Sequence, residues 1–201
     1  MEQQTIAALK RQAEKRNETM EGGGRWRALD FLLYLLLIML AVFALRTVLF
    51  EPVRVDGKSM LDTLEENEIM LVNRAAFAFT SPKRGDIILC YYPDDYYGLT
   101  GKQYGTRVKR VVAVGGDTIE LLNGTLYVNG EAQDEPYLTP DRIGGRPLEK
   151  QVVPEGCVFV LGDNRAVSID SRDEDVGPIP LTRVIGKVRL VLFPLRNLRF
   201  V

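Results

Sequence analysis

The stretch Thr118–Gly130, TIELLNGTLYVNG, decides the fold class of this chain. It contains two runs rich in apolar and β-branched residues, Thr118–Leu122 and Thr125–Val128, which are separated by Asn123-Gly124. Asn-Gly readily takes the two positive-φ positions of a type I′ turn, and this turn joins neighbouring antiparallel strands. The stretch therefore predicts a β-hairpin and an antiparallel sheet.

Short strands are predicted on both sides of this hairpin. From residue 51 onward the helical period is mostly absent, and runs of β-branched and aromatic residues alternate with Gly, Pro, Asn and Asp. The further predicted strands are Val53–Val55, Glu68–Asn73, Asp86–Tyr92, Thr106–Val114, Cys157–Leu161 and Val184–Leu192. Many short strands with turns between them favour a sandwich or barrel over a βαβ fold. We expect a mainly β, antiparallel, barrel-like domain over residues 51–201.

Composition excludes some classes of protein. The 201 residues are 46% hydrophobic, which is enough for one domain with a core and an appendage. A net charge of -1 argues against nucleic-acid binding, which requires a concentrated basic surface. The two cysteines, Cys90 and Cys157, lie far apart without metal-ligand spacing, so we expect buried thiols and neither a metal nor another cofactor. A disulfide between them stays open if the domain lies outside the cytoplasm.

The N-terminal region contains a long apolar segment. Residues Phe31–Leu45 carry no charge, and the segment from Ala28 to Phe50 has 23 residues. As a helix it would reach about 35 Å, which exceeds a bilayer core of about 30 Å. A cleaved signal peptide would have a shorter leader, and a core helix that is apolar on all sides would need a larger protein around it. We therefore expect an uncleaved transmembrane helix over residues 28–50.

Charge before this segment predicts its orientation. Residues 1–27 contain six basic residues against four acidic ones. The basic residues are Lys10, Arg11, Lys15, Arg16, Arg25 and Arg27. Basic residues beside a membrane span favour the cytoplasmic side. We expect a single-pass protein of the cell membrane with residues 1–27 in the cytoplasm and 51–201 outside it.

The absence of histidine restricts the chemistry of the outer domain. Without histidine there can be no Ser-His or Cys-His arrangement, and arginine does not deprotonate in proteins. Lysine can act as a general base where burial disfavours its ammonium form. Two lysines, Lys109 and Lys187, lie within β-branched runs that could bury them. The residue pattern alone does not choose between them, and an edge-strand lysine in water is the alternative for each.

Two further segments carry reactive or charged groups. Gly57–Leu64, GKSMLDTL, places Ser59 shortly after the apolar segment. Leu161–Arg172, LGDNRAVSIDSR, follows an apolar strand and contains two aspartates, two arginines and two serines. Asp-Arg pairs can lock such a loop, and a serine held there could orient a lysine amine. The alternative is a surface loop with screened ion pairs.

The order of these segments resembles the type I signal peptidases of peptidase family S26. The chain has the apolar segment, GKSMLDTL, Arg107–Asp117 (RVKRVVAVGGD), LGDNRAVSIDSR and then Gly177, and the likeness covers residues 28–201. It is similar to the short Gram-positive kind. The resemblance implies a membrane-bound serine endopeptidase with a Ser-Lys dyad that removes signal peptides after small residues in Ala-x-Ala sites. Its implied partners are signal peptides of exported preproteins, membrane lipid and the secretion translocon.

The resemblance also implies roles for individual residues. Ser59 would attack the scissile carbonyl, Lys109 would be the general base, and Ser168 would position the lysine amine. Ion-paired support of the third motif would come from Asp163, Arg165, Asp170 and Arg172. Shallow pockets for small substrate residues would be lined by Val53, Val55, Met60 and Leu64.

Two positions depart from the family pattern. Gly57 stands where many relatives have a hydroxyl that assists the Ser59 backbone N–H in binding the oxyanion, so the second donor is open. Asp62 stands where the family has proline, from which we expect a looser turn. Two other functions fit the same motifs: a processing peptidase dedicated to a pilin or conjugation protein, and a non-catalytic paralogue that acts as a membrane assembly factor. The intact Ser59 and Lys109 positions count against the latter.

Overall fold

The structure, a computed structural model, describes residues 6, 10–12, 29–44, 46, 49–92 and 105–201. The chain divides into two compact units, residues 1–47 and 48–201. In the first unit, residues 29–44 form a helix, and the rest of the expected cytoplasmic segment and anchor lies mostly outside the described residues. Among the described residues, no helix combines the length and the apolar character that a membrane crossing requires.

The second unit is built from short strands. Its strands are β1 (Phe50–Arg54), β2 (Ile69–Asn73), β3 (Ile87–Tyr91), β4 (Thr106–Val114), β5 (Thr118–Leu122), β6 (Thr125–Val128), β7 (Glu131–Ala132), β8 (Leu148–Val152), β9 (Cys157–Leu161), β10 (Ile179–Pro180), β11 (Val184–Phe193) and β12 (Arg199–Phe200). Two short 3-10 helices, Leu181–Arg183 and Leu195–Asn197, precede β11 and β12. Phe50, the expected end of the anchor, is the first residue of β1.

These strands form two antiparallel sheets, which confirms the predicted fold class. The larger sheet has the order β1-β2-β11-β3-β4-β9-β10, with β12 paired to β11. The smaller has the order β7-β6-β5-β8. The predicted hairpin is also confirmed: Leu122 pairs with Thr125, and Asn123 and Gly124 have φ values of 49° and 83°. These angles suit a type I′ turn.

Apolar residues of the larger sheet are buried on both of its faces. Alternate residues of β2, Met70 and Val72, are buried, whereas four consecutive residues of β3, Ile87–Cys90, are all buried. A strand without alternation is covered on both sides. One side belongs to a cluster around Met60, Leu64 and Leu89, and the other to a cluster around Ile88, Cys90 and Val160. The larger sheet, which is curled as a half-barrel, is therefore covered on both faces at β3, and β3 and β4 lie in the middle of its strand order.

Both cysteines are free thiols in the described structure. Cys90 is buried and Cys157 is partly exposed. The expectation of two buried thiols thus holds fully for Cys90 only.

Candidate active site

Ser59 lies in the connection between β1 and β2, and we call residues 57–64 the Ser59 turn. The connection is closed at its base, because the Val55 N–H donates to Glu68 O at 2.8 Å and the Asn67 N–H donates to Val55 O at 2.9 Å. Within the turn, Leu64 N–H donates to Met60 O at 2.8 Å. These bonds give Ser59 a defined backbone position despite its location outside a strand.

The curl of the larger sheet brings the Ser59 turn to β4. In the sheet order, β2, β11 and β3 lie between β1 and β4, so a flat sheet would hold Ser59 and Lys109 far apart. Instead, Lys109 Nζ and Ser59 Oγ form a hydrogen bond of 2.6 Å. From the connection after β9, the Asn164 N–H donates to Ser59 O at 2.9 Å, and Asn164 Nδ2 donates to Lys58 O at 3.1 Å. The turn thus closes over β4 and reaches the β9 side.

Lys109 is only 2% exposed. It pairs with Ile88 of β3, so its side chain leaves the sheet on the face that also carries Ile88 and Cys90. Burial lowers the pKa of Lys109 to about 8, and the charge of Arg107 acts in the same direction. Asp170, Cys90 and Asp163 act in the opposite direction. A neutral amine beside a hydroxyl can accept its proton, which is the requirement for a general base.

The second candidate lysine is engaged elsewhere. Lys187 Nζ forms an ion pair with the carboxylate of Asp86. Both lysines lie in β-branched strands, but the structure brings Lys109 and not Lys187 to Ser59.

The Ser168 hydroxyl is buried near Ser59. Its Oγ has no hydrogen-bond partner among the described residues. A Cβ added to Gly162 would lie 2.2 Å from Ser168 Oγ and 2.5 Å from Ser59 O. Only glycine leaves room for this contact, so Gly162 allows the Ser168 loop to lie directly against the Ser59 turn.

Asp170 and Arg172 form an ion pair within the third motif. Arg172 Nε donates to Asp170 Oδ1 at 2.8 Å, and Nη2 donates to Oδ2 at 2.9 Å. Asp170 Oδ2 also accepts from Gly162 N–H at 3.0 Å, and Arg172 Nη2 also donates to Arg165 O at 2.8 Å. Since both side chains are buried, this pair fixes the loop backbone beside the dyad residues.

Asp163 and Arg165 instead pair with residues from other segments. Asp163 accepts two hydrogen bonds from Arg110 of β4, of 2.8 and 2.7 Å, and one from Thr63 Oγ1 of the Ser59 turn, of 2.5 Å. Arg165 donates to both carboxylate oxygens of Glu135, at 3.0 and 2.5 Å. The motif is therefore held by the turn, by β4 and by the smaller sheet's connection to β8.

Tyr137 completes this polar network. Its hydroxyl donates to Glu135 Oε1 at 2.6 Å, and the Arg110 guanidinium lies 3.8 Å from its ring centroid. Burial, together with the Glu135 charge, raises the pKa of Tyr137, so the phenol stays protonated. Sequence reasoning missed Thr63, Arg110, Glu135, Tyr137 and Asn164. Arg110 and Asn164 adjoin predicted site residues, which was an available signal, whereas nothing in the local pattern marks Glu135 or Tyr137.

Asp62 connects the Ser59 turn to the 139–142 region. Its carboxylate accepts from Thr139 Oγ1 at 3.0 Å and from Arg142 Nη2 at 3.4 Å. The departure from proline, from which we expected a looser turn, therefore adds side-chain contacts to that turn.

A cavity of about 260 Å³ opens in front of Ser59 and Lys109. Val167 and Ile169 contribute its apolar wall and Arg107 a charged one. Of the expected pocket residues, the structure buries Val55, Met60 and Leu64 in the core and leaves Val53 partly buried against them. Within the described residues, no group of three His, Cys, Asp or Glu side chains could hold a metal ion.

Comparisons with known proteins identify relatives of this chain. Residues 28–193 match the family model "Signal peptidase, peptidase S26". The chain is 37% identical over 171 residues to signal peptidase I of Bacillus caldolyticus, covering 79% of this chain and 88% of that protein. It is 36% identical over 163 residues to signal peptidase I of Bacillus amyloliquefaciens, covering 77% and 80%.

A solved signal peptidase I from Enterococcus faecalis is 31% identical, with a TM-score of 0.42, and covers 54% of this chain and 97% of that one. The family match extends over most of the chain, and the Bacillus relatives match it over nearly their full length. This chain belongs to the signal peptidase I family of peptidase family S26, serine endopeptidases that cleave signal peptides from preproteins.

Proposed function

We propose that this chain is a membrane-bound endopeptidase that cleaves exported preproteins with a dyad of Ser59 and Lys109. The observation that carries the proposal is the 2.6 Å hydrogen bond between Ser59 Oγ and the buried amine of Lys109. A lowered lysine pKa supports it, because the neutral amine is then available at mildly alkaline pH.

In the acylation step, Ser59 Oγ attacks the scissile carbonyl carbon and its proton passes to Lys109 Nζ. The backbone N–H of Ser59 donates to the resulting oxyanion, and removal of such donors costs about 10²–10³-fold in other enzymes. The tetrahedral intermediate then collapses, the C–N bond breaks, and the leaving amine takes the proton from Lys109. The mature protein is released, and the signal peptide stays on Ser59 as an ester.

In the deacylation step, Lys109 accepts a proton from water, and the hydroxide formed attacks the ester carbonyl. The C–O bond to Ser59 breaks, and Ser59 Oγ recovers a proton from Lys109. The signal peptide leaves with a free carboxylate. In both steps the proposed role of Ser168 is to orient the Lys109 amine. Its hydroxyl is buried beside the Ser59 turn and makes no hydrogen bond to Lys109 in this structure, so the role requires that such a bond forms during the reaction.

The four charged residues of the third motif hold this geometry. Asp170 and Arg172 fix the loop internally, Asp163 ties it to β4 and the Ser59 turn, and Arg165 ties it to Glu135. Because all four side chains are buried, their pairs are directional and well shielded from solvent.

Specificity for small residues, of the Ala-x-Ala type, is also part of the proposal. The cavity beside the dyad has a volume of about 260 Å³, and Val167 and Ile169 offer apolar contact in its lining. In this proposal Val53, Val55, Met60 and Leu64, which pack together in one apolar cluster, line the shallow pockets for small substrate residues.

Residues 28–50 would anchor the enzyme in the cell membrane as a single span, with residues 1–27 in the cytoplasm and the peptidase domain, residues 51–201, outside. The uncharged run and the basic residues before it support this arrangement. Exported preproteins would then meet the enzyme on the outer face, together with membrane lipid and the secretion translocon.

The test is cleavage of a preprotein with an Ala-x-Ala site by the purified full-length enzyme in detergent. We expect Ser59→Ala and Lys109→Ala to abolish cleavage and Lys187→Ala to retain it. Cleavage by either dyad variant at the wild-type rate would refute the dyad. Loss in Lys187→Ala with activity in Lys109→Ala would assign the base to the other lysine.

A further inference from the structure

A second set of polar contacts holds the Ser59 turn, on the side of β12. Glu68 follows the turn and is only 1% exposed. Its Oε1 accepts from Arg199 Nη1 at 2.7 Å and from Asn197 Nδ2 at 2.9 Å. Its Oε2 accepts from Arg199 Nη2 at 2.8 Å and from the Glu65 N–H at 2.9 Å. This buried carboxylate is therefore fully hydrogen-bonded, with Arg199 as its ion-pair partner.

Arg199 extends the contact into the turn itself. Its Nη2 also donates to Thr63 O at 2.7 Å. The hydroxyl of Thr63 donates to Asp163, which is paired with Arg110. Thr63 is thus held by two ion pairs, through its carbonyl by Arg199 and through its hydroxyl by Asp163.

Arg199 is itself held in place by the larger sheet and by its own short segment. Arg199 pairs with Val191 of β11 in the larger sheet, and its Nη1 donates to Asn197 O at 3.0 Å. Val201 packs against the cluster that contains Val55 and Met60. An exposed ion pair contributes little, but a bidentate arginine on a buried carboxylate fixes both position and angle.

We propose that Arg199 is a positioning residue, which fixes the Ser59 turn against β4 through Glu68 and the Thr63 carbonyl. The inference rests on the proposed role of Ser59 as the nucleophile. The contacts of Arg199 are with Glu68, Asn197 and Thr63, so it acts on the reaction through the turn. A displacement of about 1 Å at a reacting atom can cost about 10²-fold in rate.

The test compares kcat, KM and Tm of full-length variants in detergent with a preprotein substrate. For Arg199→Gln we expect kcat to fall by about 10–100-fold with KM changed by less than about twofold, because Arg107, Val167 and Ile169, which line the cavity beside the dyad, lie outside the Ser59 turn. Arg199→Lys keeps the charge but cannot make all these bonds, so we expect an intermediate kcat. Rates are measured well below Tm and normalised to the folded fraction of each variant, because a loss of folded enzyme alone also lowers the apparent kcat and leaves KM unchanged.

Arg84→Gln is the matched control. Arg84 makes a bidentate pair with the largely buried carboxylate of Asp117, and neither residue contacts the Ser59 turn through a described hydrogen bond. We expect a similar fall in Tm with kcat within about twofold of wild type. An equal loss of kcat in Arg84→Gln, or a folded Arg199→Gln with kcat within about twofold of wild type, would overturn the proposal.

Arg199→Gln leaves the Glu68 carboxylate buried without a counter-ion, which can prevent folding. If it does, Glu68→Gln/Arg199→Gln, in which no charge is unpaired, takes its place with the same expected loss of kcat. Ser59→Ala is measured in the same assay. Cleavage by Ser59→Ala at the wild-type rate would refute the dyad. If Ser59→Ala is inactive but the Arg199 variant has the kcat of the wild type, only the positioning role of Arg199 is refuted.

Discussion

The Arg165 guanidinium and the Glu135 carboxylate form a bidentate ion pair across two segments of the peptidase domain. Their side chains are only 2% and 7% exposed. Arg165 belongs to the loop that follows β9, and Glu135 to the connection between β7 and β8. The pair therefore joins the smaller sheet to the loop that supports the active site.

Removing one partner of this pair should destabilise the domain strongly. Glu135→Ala leaves the Arg165 charge buried and unpaired, and we expect a loss of about 3–5 kcal/mol in the free energy of unfolding. Glu51→Ala, which breaks the half-exposed pair with Arg74, should cost only about 0–1 kcal/mol. Urea unfolding of both variants measures the difference. Equal costs would show that burial of the pair has no energetic consequence.

The pH dependence of cleavage should follow Lys109. Its pKa is about 8, so kcat/KM should rise with pH through about 8 as the amine loses its proton. The positive charge of Arg107 helps to lower this pKa. Arg107→Gln removes that charge, the pKa of Lys109 rises, and the rising limb should move to higher pH. A limb that stays in place or moves to lower pH in this variant would contradict the electrostatic role of Arg107.

Gly162→Ala should damage the site by collision. The added Cβ would meet Ser168 Oγ and Ser59 O at distances far below van der Waals contact. Overpacking of this kind costs about 1–3 kcal/mol, and we expect kcat/KM to fall by about 10²-fold as the turn shifts. Gly130→Ala serves as the comparison, since its φ of +82° strains an added side chain but its Cβ would meet nothing within 4 Å. It should lose stability and keep activity.

The two thiols should react differently in the native protein. Burial raises the pKa of Cys90 to about 12, and the thiolate is the nucleophilic form of cysteine. Cys157 is partly exposed. At pH 8, iodoacetamide should therefore label Cys157 before Cys90, and both should react in the denatured chain, as mass spectrometry can show. Faster labelling of Cys90 would mean that its strand opens readily.

Local pattern was enough to predict the hairpin and the main strands, because their apolar residues and turn residues follow the geometry of the backbone. It was not enough for β8, whose residues LEKQV are exposed except for Leu148 and which pairs with β5. The sequence around β8 therefore does not indicate a strand. The short β12 was missed because two residues are too few to show an alternation of apolar and polar side chains.

The candidate site could also be predicted only in part from the sequence. The motifs indicated which residues come together, but the choice between Lys109 and Lys187 depends on partners distant in sequence. Lys187 pairs with Asp86, 101 positions away, and Lys109 meets Ser59, 50 positions away. The ion pairs of Asp163 with Arg110 and of Arg165 with Glu135 also join residues that are distant in sequence, so the local pattern could not predict them.

The place of β11 in the larger sheet bears on the biosynthesis of the enzyme. This strand lies between β2 and β3, although it is synthesised after both. Strand pairing therefore joins the half of the sheet next to Ser59 and the half that carries Lys109 only when residues 184–193 have been inserted between them. A nascent chain in which residues 184–193 have not yet been made lacks this strand connection between the two halves.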